Sequence, residues 1–316
     1  MYYIGVDLGG THIAAGLVDD NGKIINKGSV PTLRERSYQE IIKDMAMLIL
    51  KIIKDSGKEL KDIQGIGIGS PGTPNGREGI LVYANNLKFN NVPVRAEVQK
   101  YINLPVYLDN DANCAALAES VAGAAKGVEN SITITLGTGV GSGVVINHKI
   151  YNGFNYAAAE LGHIVIVSGG VLCTCGRKGC FESYASATAL IRQTREAAVK
   201  NPDSLINRLV NGDLNKIDAK IPFDAAGQGD VTAKKVVKKY IKYLAEGLAN
   251  IINAFQPEVM VIGGGVSNQG EVLLKPLRKM IYERIYCKEG VPQTELKVAQ
   301  MGNDAGIVGA AMLCRS

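Results

Sequence analysis

Twice in this chain an apolar, strand-like run is broken by a glycine-threonine turn and then resumes. At the start Tyr2 to Val6 is apolar, Asp7-Leu8-Gly9-Gly10-Thr11 interrupts, and Ile13 to Val18 continues before the turn signal Asp20-Asn21-Gly22. Near the middle Ser131 to Leu136 alternates Ile and Thr, Gly137-Thr138-Gly139-Val140-Gly141 interrupts, and Gly143 to Ile146 continues before Asn147-His148. Each reads as strand, tight turn, strand. The same device in corresponding places predicts a chain built from two related halves. A glycine-rich turn lets backbone amides approach phosphate oxygens with no side chain in the way, and a threonine hydroxyl adds a donor. A Rossmann or P-loop glycine motif opens a helix, whereas each of these turns runs on into an alternating strand, so neither fold fits. One such turn alone would be a plain hairpin. A third glycine run, Gly263-Gly264-Gly265 after the buried strand Val259 to Ile262, is placed to admit an adenosine, and the three together predict the actin-like (ribonuclease H-like) arrangement. In that arrangement two phosphate hairpins face each other across a cleft between lobes.

The intervals between strands are helical. Ser37-Tyr38-Gln39-Glu40 is a capping box whose apolar-periodic run ends at Gly57. Ile63 to Ile68 reads as a strand, Ala112 to Val121 as a helix, Val231 to Phe255 as one long or broken helix, and Gly302 to Leu313 as the last helix. Strands interleaved with helices, and hairpins among the strands, indicate α/β layers with mixed sheets. A chain of 316 residues exceeds what one core comfortably holds. Two domains are therefore expected: a small N-terminal α/β domain, 1–109, completed by the C-terminal helix 302–316, and a large α/β domain, 110–301. A net charge of +5 over 35 basic and 30 acidic residues, without a dense basic block, argues against nucleic acid as a partner. No apolar run reaches about 18 residues, which argues against a membrane span. Met1 leads straight into a strand with no leader-like segment, so a cytoplasmic protein is expected.

Three of the six cysteines crowd into Cys173, Cys175 and Cys180, a spacing typical of metal ligation, while Cys114, Cys287 and Cys314 stand alone and read as buried small hydrophobes. Zinc takes four ligands, and His163, ten residues before Cys173, is the nearest candidate for the fourth. A closed set of three Cys and one His makes a structural site rather than a catalytic one. A metal-bound imidazole has its other nitrogen fixed in direction, where it could grip a hydroxyl. Glu160 falls near His163 if the backbone there is helical, and Glu182 follows the cysteine run directly. Two carboxylates and an imidazole suit the vicinal hydroxyls of a sugar, each of which both donates and accepts. Asp7, at the end of the first strand, would lie near phosphates, where a carboxylate needs a cation; Mg²⁺ is the natural one.

Asp7-Leu8-Gly9-Gly10-Thr11, Asn110-Asp111-Ala112-Asn113, Leu136-Gly137-Thr138-Gly139, Glu160-Leu161-Gly162-His163 and the Cys-x-Cys-Gly-x-x-Gly-Cys-x-Glu run from Cys173 to Glu182 together resemble the ROK family of sugar kinases and repressors, over Gly5 to about Met312. The resemblance implies ATP-dependent phosphorylation of a hexose, glucose to glucose 6-phosphate first among them, with N-acetylglucosamine, N-acetylmannosamine, fructose and mannose as alternatives. By the same resemblance Asp111 is the catalytic base, although it would also serve as an ordinary helix-starting carboxylate. Gly72, Asn110, Glu160, His163 and Glu182 are the implied sugar ligands. The implied nucleotide site comprises Asp7, Gly9, Gly10, Thr11 and His12 with Gly137, Thr138, Gly139, Gly264 and Gly265; many relatives carry lysine where this chain has His12. The zinc ligands carry over as His163, Cys173, Cys175 and Cys180, and a homodimer or homotetramer is implied. The family's repressors, which respond to sugar, carry a helix-turn-helix domain ahead of the first turn. Here four residues precede Gly5, so the kinase reading is preferred over a sugar-responsive regulator.

Overall fold

In the computed structural model, which describes residues 1–315, the first glycine-threonine turn joins β1 (Tyr2–Leu8) to β2 (His12–Asp19), and a second turn leads to β3 (Ile24–Pro31). β4 (Ile63–Ser70) lies parallel to β1. Three short strands, β5 (Thr73–Asn75), β6 (Ile80–Ala84) and β7 (Phe89–Val92), form a small antiparallel sheet of their own. β8 (Val106–Asn110) then pairs parallel with β4, giving a first sheet of order β3-β2-β1-β4-β8. The second sheet contains β9 (Ser131–Leu136), β10 (Val140–Ile146), β11 (Lys149–Ile150), β12 (Val259–Gly263) and β13 (Glu295–Val298) in the order β11-β10-β9-β12-β13. Strand for strand the two orders match. The repeat read from the two turns is thus present in the topology, and the sheets are mixed as expected.

The period-two alternation of β1 assigns its two faces. Ile4, Val6 and Leu8 pack with Ile41, Ile42, Met45 and Ile49 of the helix Tyr38–Asp55, while Tyr3 packs on the other side with Ile307, Val308 and Ala311 of the helix Ala305–Met312. Eight buried residues on Tyr38–Asp55, seven of them large, contribute on the order of 10 to 20 kcal/mol of apolar burial. The Ser37–Glu40 capping box, present as read, adds only about 1 kcal/mol. Burial therefore anchors this helix and the cap sets where it begins. On the opposite face, glycines let the final helix lie directly on the sheet and on the helix Asp111–Ala122: a Cβ on Gly67 of β4 would sit 1.7 Å from the Ala310 carbonyl oxygen, and one on Gly309 1.7 Å from that of Cys114.

Two compact units result, one of Met1–Thr133, Gly143–Ala159 and Gln300–Ser316, the other of Ile134–Ser142 and Glu160–Ala299. The helix Asp111–Ala122, expected within the 110–301 domain, falls in the first unit instead, because its backbone touches Gly309 of the final helix. Ser316, the last residue of the expected 302–316 segment, lies outside the described residues. The segment Val231–Phe255 is one unbroken helix of 25 residues. Among the described residues no helix is long and apolar enough to cross a membrane. Of the isolated cysteines, Cys114 is buried and Cys314 partly so, but Cys287 is exposed: it lies beyond Ile285, where the helix Glu271–Tyr282 has ended and the core no longer covers the chain. The expectation that all three are buried is corrected at that position.

Candidate active site

In the first unit the turn after β1 is fastened from inside. The Gly9 N–H donates to the His12 carbonyl at 3.0 Å, and fully buried Thr32 donates its hydroxyl to the Gly9 carbonyl at 2.6 Å and its N–H to the Thr11 carbonyl at 2.9 Å. Gly9 thus shapes the turn and its amide is committed there, while Thr11 and His12 are exposed. Gly10 must be glycine for a steric reason, since a Cβ would lie 2.7 Å from the Asn86 carbonyl oxygen. Sequence reasoning misses Thr32, whose only mark is a threonine just past β3. Asp7 points to the face of the final helix, where Gly306 makes room for it: a Cβ there would meet Asp7 Oδ2 at 2.6 Å. Burial, and then the nearby charge of Asp111, raise the Asp7 carboxyl above its ordinary value.

β8 delivers Asn110 and Asp111 to the start of the helix Asp111–Ala122. Asn110 is the cap, its Oδ1 accepting from the Ala112 N–H at 2.8 Å, and its Nδ2 donates to the Gly72 carbonyl at 3.1 Å. Asp111, expected as a helix-starting cap, is instead the first helical residue, with Oδ1 2.8 Å from the same Ala112 N–H. The cap's geometry requires an extended backbone, which Asn110 has at φ −69° and ψ 149°. Asp111 remains open to solvent, yet the protein packed around it raises its carboxyl, with the Ala112 N–H pulling partly back. An accessible, unneutralised carboxylate with a raised proton affinity has the properties of a general base.

In the second unit the turn after β9 is closed more tightly than the first: the Gly137 N–H donates to the Gly139 carbonyl, two residues on, at 3.1 Å, and Thr138 is exposed. Gly264, at φ 80°, brings the third glycine run against the end of β9, where a Cβ would be 2.4 Å from the Leu136 carbonyl oxygen. Gly264, which is exposed, therefore lies beside the turn after β9, and the exposed Gly265 follows it. Glu182 begins the short helix Glu182–Ala185 and reaches the same turn: its Oε2 accepts from the Val140 N–H at 2.9 Å, and a Cβ on Gly139 would lie 2.3 Å from that oxygen. Glu160 precedes the 3-10 turn Leu161–His163, and the His163 N–H donates to the Glu160 carbonyl at 3.0 Å, so the helical proximity expected of this pair is met by a tighter turn.

His163, Cys173, Cys175 and Cys180 converge, with their ligand atoms all within 4.8 Å of one another. His163 Nδ1 is 3.6 Å from Cys173 Sγ, and Cys175 Sγ is 3.7 Å from Cys180 Sγ. Positive φ at Gly176 and Gly179 folds the run back on itself. Burial opposes ionisation of Cys173, but hydrogen bonds led by the Cys175 backbone bring it down to about 6; burial and the neighbouring thiols push Cys180 up to about 12. Thiols this close cannot all ionise unless a cation shares their charge.

An actin-like α/β fold shared with ROK kinases of known structure, with two glycine-threonine turns, a third glycine run beside the second turn and a solvent-open aspartate, defines a class of protein, the ATP-dependent sugar kinases. Within it the chain belongs to the ROK family, whose model matches residues 3–316. It is 40% identical to the glucokinase of Thermotoga maritima over 313 residues, covering 99% of this chain and 96% of that protein. The crystal structure of a ROK family glucokinase from Streptomyces griseus in complex with glucose and AMPPNP is similar at a TM-score of 0.79 and 36% identity, over 100% of this chain and 99% of that one. The ROK hexokinase from Thermus thermophilus is similar at a TM-score of 0.84 and 32% identity, over 99% and 97%.

Proposed function

We propose that the protein transfers the γ-phosphoryl group of ATP to the 6-hydroxyl of glucose, giving glucose 6-phosphate and ADP, with Asp111 as the base. The observation that carries the assignment is Asp111 itself, solvent-open at the start of its helix and held beside the capping residue Asn110. Asp111 orients the hydroxyl and takes its proton late, as the O–P bond forms and the bond to ADP breaks. Asn110, through the Gly72 carbonyl it holds, and Glu160, His163 and Glu182 bind the remaining hydroxyls. Gly10, Thr11 and His12 serve the phosphates, as do Thr138 and Gly139, and Gly264 and Gly265 receive the adenosine. Mg²⁺ bound with the nucleotide would neutralise charge on the phosphates. Asp7 would be its protein partner, since a carboxylate whose proton affinity is raised by burial and by the nearby charge of Asp111 favours a cation.

The Cys₃His set fits zinc. In a tetrahedron with Zn–S of about 2.3 Å and Zn–N of about 2.0 Å, two thiolate sulfurs are about 3.8 Å apart and a sulfur and nitrogen about 3.5 Å apart. The separations of 3.7 and 3.6 Å match those edges. With Nδ1 turned to the thiolates, His163 directs Nε2 outward to a sugar hydroxyl. His163, Cys173, Cys175 and Cys180 would hold the zinc, which would supply a structural tie that fixes His163 and the adjoining Glu182. The protein acts in the cytoplasm, as a homodimer or homotetramer, with sugar and ATP as its partners. A coupled ADP-release assay over a panel of hexoses and N-acetylhexosamines tests the assignment: glucose should show the highest kcat/KM, and preference for another sugar, or no turnover, would overturn it.

A further inference from the structure

Behind Asn110 and Asp111 lies a closed ring of hydrogen bonds in which neither of them uses its side chain. Asp109, the penultimate residue of β8, is buried, and the donors around it are neutral. Its Oδ1 accepts from the Asn110 N–H at 2.7 Å and from Asn113 Nδ2 at 2.8 Å, and its Oδ2 from Asn152 Nδ2 at 3.0 Å. Asn113 Nδ2 spends its other hydrogen on Asn152 Oδ1 at 3.0 Å, which closes the ring. A carboxylate only accepts, so Asp109 dictates which way both amides face. Burial raises its carboxyl, and these donors draw it partly back.

Asn152 is also the base of a surface loop. Its carbonyl accepts from the Ala158 N–H at 3.2 Å, and Gly153, at φ 68°, lies so close to Ala158 that a Cβ would be 2.8 Å from that residue's own. The loop folds back on its first residue, and that residue is fastened by its side chain to Asp109. Tyr156, inside the loop, lies against Gly76, with its ring 3.5 Å from where a Cβ would be. Gly76 belongs to the stretch that Asn110 holds at its other end through the Gly72 carbonyl. Two consecutive residues of one strand thus hold two segments, Asn110 the one that begins at Gly72 and runs through β5 and Asp109 the loop from Asn152 to Ala158.

We infer that Asp109 and Asn152 are positioning residues for sugar selectivity: the ring ties the loop from Asn152 to Ala158 to the segment bearing Asn110 and Asp111, so that loop and base meet the sugar in one fixed geometry. The inference rests on the hexose kinase reading above. It predicts a donor-acceptor swap. Asp109→Asn sets an amide donor against Asn152 Nδ2, and Asn152→Asp sets a second carboxylate, half-buried, against the buried one of Asp109. In the double substitution the amide now at 109 donates to the carboxylate now at 152, which still accepts from Asn113, and every bond of the ring returns.

The test is steady-state kinetics with glucose and mannose, together with thermal unfolding, on the wild type, the two single variants and the double variant. Each single change should raise the KM for glucose about 10-fold or more and narrow the preference for glucose over mannose, with the KM for ATP within about 2-fold. The double variant should return to within about 3-fold of wild type on all three measures. Single variants that match wild type overturn the inference, as does a folded double variant that melts like wild type without recovering selectivity. If the double variant does not fold, Asn152→Ala decides: it removes the tie without adding charge, and unchanged selectivity overturns the inference. A wild-type protein that phosphorylates no hexose would instead refute the kinase reading, while the unfolding data would still report the ring.

Discussion

Asp111→Asn separates catalysis from architecture, because the structure allows the two effects to be sized independently. The Ala112 N–H lies 2.8 Å from Asp111 Oδ1, and an amide oxygen can accept in the same place; the cap itself belongs to Asn110 and is untouched. Losing a negative charge from the first helical turn costs about 0.3 to 1 kcal/mol. Against that, burial raises the carboxyl, so the ionised form is disfavoured in the folded state and its removal is stabilising. The sign follows from proton binding: the folded state holds this proton more tightly than the unfolded chain does. Stability therefore falls as pH rises from the ordinary carboxylate value of about 3.9 through the raised folded value. The variant lacks that slope, and at neutral pH its stability should lie within about 1 kcal/mol of wild type. Catalysis should respond on another scale. Removing a positioned base lowers kcat by about 10² to 10⁴, or about 2.7 to 5.4 kcal/mol in the barrier. The KM for ATP should hardly change, and the acid limb of the wild-type pH profile, placed above about 3.9 by the raised carboxyl, should be missing from the variant's residual rate. ADP-release kinetics, thermal unfolding and zinc content on the same preparation make the measurement. A folded, zinc-loaded Asp111→Asn protein that keeps more than about a tenth of wild-type kcat would show that another group is the base.

Two further outcomes are expected. Protein purified without chelator should carry one Zn²⁺ per chain, and Cys175→Ala should lower zinc content, melting temperature and glucose affinity together; less than about half an equivalent in the wild type, or cysteines joined as disulfides, counts against the site. Gly309→Ala places a methyl 1.7 Å from the Cys114 carbonyl oxygen, a backbone atom that cannot rotate away. The two helices must separate, at a cost of about 1 to 3 kcal/mol or more and at least about 2 °C in Tm, and a variant that melts with wild type would refute the packing argument.

What depends on neighbours along the chain is legible in the amino-acid sequence alone. Both strand-turn-strand hairpins, the Ser37–Glu40 box and the helix that it starts, and the build from two related halves all follow from local spacing and its repetition. The cysteine run carries its own geometry, since three thiols within eight residues and two glycines with positive φ leave little freedom. The family signature is likewise a matter of short motifs. The tertiary structure decides the rest. It makes Asn110 rather than Asp111 the cap, turns residues 73–92 into a small sheet, puts the helix Asp111–Ala122 beside the final helix, and leaves Cys287 outside the core. It also joins Glu182 to the Val140 N–H across 42 positions and Asp109 to Asn152 across 43. The reason is physical: hydrophobic periodicity records which face of an element is buried, whereas a buried carboxylate and its donor are matched only when two distant backbones are brought within about 3 Å of hydrogen-bond reach, and no spacing in the chain encodes that encounter.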